Sequence, residues 1–244
     1  MSRGLIGVPC REQGRWTPFW QCLDRLERPG APGEWRLEVQ PNNSVAYARN
    51  VIAQKALDEE RDWVFFLDDD LEFSPDVLLK LLERDEDIVI GLSMSRFRRD
   101  GAAHCAHKPL WSNRPLDWSN GHPIWTPIDA IALGPNGLMP LTSGTGGGVL
   151  IRTSVFRTLP PLWWTIGQIR ADCYFEDIWF YQRCVEAGIP IWGDPTVRFG
   201  HIHHVTLWPH QDADGTWSTV VADGFTGFLK QPWPVVRSQA LVTA

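Results

Sequence analysis

The sequence predicts an α/β domain in which a mainly parallel central sheet is flanked by helices. Three observations carry that expectation. Apolar runs and amphipathic segments alternate four times within about ninety residues of the N-terminal half, the trace that successive βαβ units leave. The runs "WVFFL" (63–67) and "DIVIGLS" (87–93) lack polar/apolar alternation, as suits strands buried on both faces of a parallel sheet. At 244 residues the chain is long enough to bury a core without disulfide or metal staples.

Taken in order, "GLIGVP" (4–9) is an apolar run closed by proline and reads as the first strand. "FWQCLDRLE" (19–27) then places Phe19, Cys22, Leu23 and Leu26 on one side of a helix. "EWRLEVQ" (34–40) is a second strand, after which Ser44 caps a helix through "VAYARNVIAQKALDEE" (45–60), where Val45, Ala48, Ile52 and Ala56 share a face. Ser74 and Pro75 form a cap and first-turn pair for "DVLLKLLER" (76–84). Residues 95–146 are rich in Pro, Gly, Asn, His and Trp and read as loop, with a strand at "IDAIAL" (128–133). "GGVLIR" (147–152) resumes the sheet, and "FEDIWFYQRCVEAG" (175–188) is a helix ended by Gly188. "IPIWGDP" (189–195) and "VRFGHIHHV" (197–205) are two short strands. The rest shows no clear pattern, so the expected organisation is one domain over 1–205 with a C-terminal extension, 206–244, packed on it.

Charge and cysteine usage exclude several classes. Acidic residues outnumber basic ones 29 to 23, and the densest basic patch is "RFRR" at 96–99. Non-specific binding to nucleic acid or anionic membrane is therefore not the default. The five cysteines, at 10, 22, 105, 173 and 184, contain no CxxC pair, which favours reduced thiols and a cytoplasmic setting over a disulfide frame or zinc knuckle. "MSRGLIGVPCREQGR" has too short an apolar stretch for a signal peptide, and no window approaches a membrane span.

The chemistry concentrates at "FFLDDDLEF" (65–73), three aspartates ending an apolar run. Ligand sites in open α/β sheets form beyond the carboxyl ends of the strands. If the strand continues, its alternation puts Asp68 and Asp70 on one side and Asp69 on the other. Two convergent carboxylates repel unless they share a cation, and hard oxygen ligands favour Mg2+ or Mn2+. Read alone, the triplet fits a solvated turn as well as a cation site. "SGTGGGVLIR" (143–152) packs four glycines ahead of a strand; it is neither a dinucleotide fingerprint nor a P-loop, and fits a tight turn or close backbone approach to a ligand. Glu176 and Asp177 open a helix, where the dipole favours carboxylates in any case. In "FGHIHHV", His201 and His203 share one strand face and His204 takes the other.

The ordered set of "ARN" in a helix (48–50), "FFLDDDLEF", the glycine-rich strand near 145, "ED" at 176–177 and "GHI" near 200 resembles the GT-A fold nucleotide-sugar glycosyltransferases, particularly compact bacterial and phage members, over roughly residues 4–205. The resemblance implies a GT-A-like, Rossmann-like domain and a DxD motif in which Asp70 binds the metal and Asp68 contacts the ribose, or the metal through water. Asp69 fills the variable middle place on the nucleotide-sugar side, with its own role open. Arg49 and Asn50 would approach the nucleotide, Thr145 and Gly146 the sugar or phosphate, and His201 would join the metal with His203 in reserve. Asp177 would be the general base of an inverting transfer, within about 3 Å of the acceptor oxygen, with Glu176 holding the acceptor.

On this reading the cofactor is Mn2+ or Mg2+, the donor a nucleoside-diphosphate sugar, and the acceptor a hydroxyl on a glycan, lipid-linked sugar, small molecule, protein or modified nucleobase. Trp163, Trp164 and Trp208 are candidates for an acceptor platform, and "RFRR" with Lys108 for a segment closing over a diphosphate. Two alternatives stand. One is a haloacid-dehalogenase-like phosphatase, weakened by the two strand-helix units before the aspartates and by Leu71 after them. The other is a non-catalytic nucleotide-sugar or glycan-binding module.

Overall fold

In the computed structural model, β1 (Gly4–Cys10) pairs in parallel with β2 (Trp35–Pro41) on one side and β3 (Trp63–Phe66) on the other. The structure describes residues 2–10, 17–31, 33–41, 44–94, 109–117, 125–165, 168–169, 172–173, 176–202, 206–222 and 228–232. Beyond β3 comes β7 (Val149–Arg152), antiparallel to both β3 and β5 (Ile88–Ser93), and β5 pairs in parallel with β10 (Ile191–Ile202). The sheet is thus mixed but mostly parallel in its central part, with β7 as the reversed strand.

The two faces of β3 explain its composition. Val64 and Phe66 enter one apolar cluster with Ile88, Ile90, Val149 and Ile151. Helices α2 (Val45–Asp58), α4 (Thr153–Thr158) and α5 (Glu176–Glu186) contribute Ile52, Phe156 and Phe180 to the same cluster. Trp63, Phe65 and Leu67 enter a second cluster with Val89, Leu150 and Phe199. Phe19 of α1 (Thr17–Arg25) and Leu78 of α3 (Val77–Glu83) cover that face. An unbroken apolar run is what a strand between two such layers requires. Trp163 and Trp164, at 3% and 2% exposed, belong to the first cluster. Trp164 stacks on Phe180 at 4.5 Å, so these two indoles are core and offer no platform.

Ser44 caps α2 as the sequence predicts, accepting the Tyr47 N–H at 3.3 Å. The Ser74-Pro75 pair behaves differently. Ser74 donates to Asp76 Oδ1 within a turn, and α3 begins only at Val77. "IDAIAL" forms no strand: the Ile128 N–H bonds Trp111 O, and the β10 edge that could have received a strand is occupied by β6 (Met139–Leu141). The two short strands expected at 189–205 are one, β10, because a register shift between Asp194 and Arg198 absorbs Pro195 without ending the strand. Past β10 the sheet continues antiparallel through β11 (Thr206–Gln211), β12 (Trp217–Ala222) and β13 (Phe228–Pro232). Trp208 of β11 lines an open cavity of about 680 Å³ with Arg198, His210 and Val220. A two-stranded ribbon, β8 (Gln168–Ile169) and β9 (Asp172–Cys173), precedes α5. Among the described residues no helix is long and apolar enough to cross a membrane.

Candidate active site

The polypeptide leaves the sheet just after β3, where the Leu67 N–H still bonds Gly7 O at 2.9 Å. It then turns through Asp69 and Asp70 and returns as β4 (Leu71–Phe73), antiparallel to β10. The aspartates therefore lie on a turn at the carboxyl ends of β1 and β3, not on a continuing strand, and each faces a different partner. Asp68 Oδ1 accepts from Arg49 Nη2 at 2.7 Å. Asp69 Oδ2 accepts from Cys10 Sγ at 3.2 Å. Asp70 Oδ2 lies 3.5 Å from His201 Nε2. The continuing strand that would put Asp68 and Asp70 on one side is replaced by a turn that gives each carboxylate its own partner.

Arg49 projects from α2 into the interior, 2% exposed. Its Nη1 donates to Glu176 Oε1 at 2.5 Å while Nη2 holds Asp68. Burial by itself would lower the guanidinium's pKa, but Asp68, Glu176 and Asp177 together raise it above the ordinary range, so Arg49 stays charged. The Asp68 carboxyl is pushed up by burial and by the charge of Asp70, with Arg49 opposing.

Asp177, at the first turn of α5, is raised to about 7. Burial is the largest cause and the adjacent Glu176 adds to it, while Arg49 and the Ile178 N–H pull the other way. That N–H reaches Asp177 Oδ1 at 2.8 Å. One turn further along α5, the buried Tyr181 donates its hydroxyl to Thr145 O at 2.7 Å, tying the helix to the glycine-rich segment.

Glycine is required in that segment by space. A Cβ on Gly146 would collide with the Arg49 guanidinium, and one on Gly147 would sit 2.5 Å from Asp68 Cγ. Thr145 braces the turn by accepting the Gly147 N–H at 3.2 Å.

Asn50 turns the other way. Its Nδ2 donates to Ala46 O and to Trp164 O at 2.6 Å, while its Oδ1 accepts the Trp164 N–H at 3.2 Å. This reciprocal clasp commits both ends of the amide to the protein. Asn50→Ala is accordingly expected to lower the unfolding free energy by about 1–3 kcal/mol in urea titrations, since it strands buried backbone groups.

Asp70 and His201 are a fitting pair for a divalent ion. His201 Nδ1 lies 2.9 Å from Met94 O, to which it can only donate, and Nε2 is the nitrogen turned toward Asp70. Backbone pairing fixes their approach: the Ile202 N–H bonds Asp70 O at 2.7 Å and Leu71 registers with His201. Among the described residues no group of three or more His, Cys, Asp or Glu side chains converges on one point. His203, His204, "RFRR" and Lys108 lie outside the described residues.

The structure thus gathers Arg49, Asp68, Thr145, Gly146, Glu176 and Asp177 around one guanidinium, with Asp70 and His201 adjoining through the turn. The sequence reading missed Tyr181 and Cys10. Tyr181 was within reach, because helical spacing puts it four residues and one turn from Asp177. Nothing in the sequence signals Cys10, which meets Asp69 only through the pairing of β1 and β3.

Comparisons with known proteins identify the family. The profile of glycosyl transferase family 2 matches residues 19–159. No curated protein matches the chain. Among solved structures, A197 from STIV superposes with a TM-score of 0.49 at 14% identity, covering 88% of this chain and 92% of that one. S. aureus TarS 1–349 in complex with UDP-GlcNAc superposes with a TM-score of 0.42 at 13% identity, and the match covers 79% of this chain and 56% of TarS 1–349. With more than half its length matched by the profile, the chain belongs to glycosyl transferase family 2 and is a glycosyltransferase of GT-A-like fold.

Proposed function

We propose that the protein transfers a sugar from a nucleoside-diphosphate sugar to an acceptor hydroxyl with inversion at the anomeric carbon, Asp177 serving as general base. The observation that best supports this reading is the joining of the two carboxylate groups by Arg49: Asp68 at the end of β3 and Glu176 beside Asp177 at the start of α5. Family membership removes the support for a haloacid-dehalogenase-like phosphatase.

On the donor side, Asp68 and Asp69 are assigned to the nucleotide-sugar, with Thr145 and Gly146 forming the adjacent backbone wall. Arg49 and Asn50, both engaged inside the protein, act behind that wall. Asp70 and His201 would hold a Mn2+ or Mg2+ ion, with Asp68 nearby; a two-residue set suits ions that keep waters and substrate phosphates as their other ligands. When bound, such an ion supplies Lewis-acid neutralisation of the charge on the departing nucleoside diphosphate. On the acceptor side, Asp177 takes the proton of the attacking hydroxyl as the new glycosidic bond forms and the bond to the diphosphate breaks. A carboxyl raised to about 7 is well matched to accepting a proton near neutrality. Residues 206–244 are assigned to an extension of the same domain, and the free thiols of Cys22 and Cys184 suit a cytoplasmic setting.

A thermal-shift screen of common nucleotide sugars with and without Mn2+ tests the reading. One donor with Mn2+ is expected to raise Tm by about 5–10 °C at roughly a hundredfold excess over Kd, accompanied by slow release of nucleoside diphosphate. Stabilisation without any turnover would point instead to a non-catalytic binding module. A flat response to every donor would remove the donor assignment.

A further inference from the structure

Arg49 stands out because the family resemblance sends it to the nucleotide, while its geometry sends it elsewhere. Its two terminal nitrogens go to carboxylates that lie 19 and 127 residues away in sequence, on different elements. Among the described residues it is the one side chain that bonds both. A plain structural ion pair needs one partner and tends to satisfy every buried donor. Arg49 has two partners, and its Nε is buried with no hydrogen-bond partner. The side chain is thus placed by what its two terminal nitrogens reach and not by full satisfaction of its donors.

The surroundings are shaped to this bridge. Gly146 leaves room for the guanidinium and Gly147 for the Asp68 carboxylate. Asn50, the next residue, locks the register of α2 by its clasp on Trp164, and Tyr181 ties α5 to the glycine-rich wall. The guanidinium is planar and rigid, so bonding one carboxylate through each terminal nitrogen sets a spacing that a single ammonium on a flexible stem does not.

Resting on the glycosyltransfer reading above, we infer that Arg49 is a positioning residue for the reaction: by bridging Asp68 and Glu176 it sets the first turn of α5, and with it Asp177, against the donor-side aspartates. It does so from behind the glycine wall. This separates two effects. The candidate metal pair, Asp70 and His201, is held by the Ile202 N–H and by Met94 O, so the ion's hold on the donor does not depend on the bridge. The alignment of base and donor does.

The test measures nucleoside-diphosphate release from the donor found in the screen, with Mn2+ present and water in the acceptor's place. Arg49→Lys keeps the charge but cannot span both carboxylates. Its kcat is expected to fall about a hundredfold, in keeping with misplacement of a reacting group, a larger change than any in KM for the donor. Gly146→Ala serves as the second variant, since it displaces the guanidinium without altering any charge and should show the same split. A kcat within threefold of wild type in both variants overturns the inference. So does a rise in donor KM at unchanged kcat, which would make Arg49 a nucleotide contact. A wild-type protein that releases nucleoside diphosphate from no donor overturns the enzymatic reading itself, a failure plainly different from either.

Discussion

Asp177→Asn is expected to lower kcat for transfer by about 10²–10⁴-fold, the usual contribution of a general base, while donor affinity changes less than threefold. The amide keeps the side chain's shape and can still accept the Ile178 N–H that holds Asp177 Oδ1 at 2.8 Å. What it loses is the capacity to take a proton. Undiminished turnover in this variant would remove the base assignment. The wild-type pH profile supplies a second reading of the same group. Asp177 acts when ionised, and its carboxyl is raised to about 7. Activity, measured as kcat/KM, should therefore rise with pH through the neutral range and level off above it. The groups around Asp177 fix that direction: burial, Glu176 and Asp68 raise its pKa, Arg49 and the Ile178 N–H lower it, and Tyr181 from the same helix stays protonated because burial pushes its phenol up. In Asp177→Asn the rising limb should vanish from whatever activity is left.

Asp70→Ala is expected to abolish Mn2+-dependent stabilisation by the donor. The substitution removes one of two adjoining candidate ligands and leaves His201 Nε2 without its 3.5 Å neighbour. The backbone pairing of Asp70 O with the Ile202 N–H does not depend on the side chain, so the fold should tolerate the change, and a melting temperature near wild type in the absence of ligand is the control. Retention of a Mn2+-dependent shift in Asp70→Ala would move the ion away from this turn. Because Asp177 lies on α5 and Asp70 on the β3–β4 turn, the two variants should fail differently: one binds donor and cannot transfer, the other does not engage donor with metal.

How much of this was legible beforehand varies with range. The carboxylates were legible because residue type and local position carry the signal: three aspartates after an apolar run, and an acidic pair opening a helix. The helices α2 and α5 were legible through their caps and spacing. The sides the aspartates face were read from a continuing strand, but the chain turns there and each carboxylate meets its own partner. The role of Arg49 was not legible, because its partners are brought to it by the sheet and by α5. Asn50 looked like part of the same polar notch, yet a rotation of one helical residue sends it to Trp164. The strands β11–β13 escaped notice because "TLWPHQ" carries a proline and no clean alternation, its register being set by neighbouring strands instead. "IDAIAL" had strand composition, but the segment that joins β10 there is β6.

The register shift in β10 has a further consequence. Asp194 and Arg198 oppose Gly91 and Leu92, which are consecutive on β5, so three extra residues are taken up on β10 between them. Side chains alternate along a strand, and an odd number of extra residues inverts which face everything downstream presents. Gly193 faces Leu141 and Trp111 in one layer while Val197 and Phe199 join the other, so the shift across Pro195, Thr196 and Val197 reverses the alternation and puts His201 on the side of the sheet where Asp70 lies.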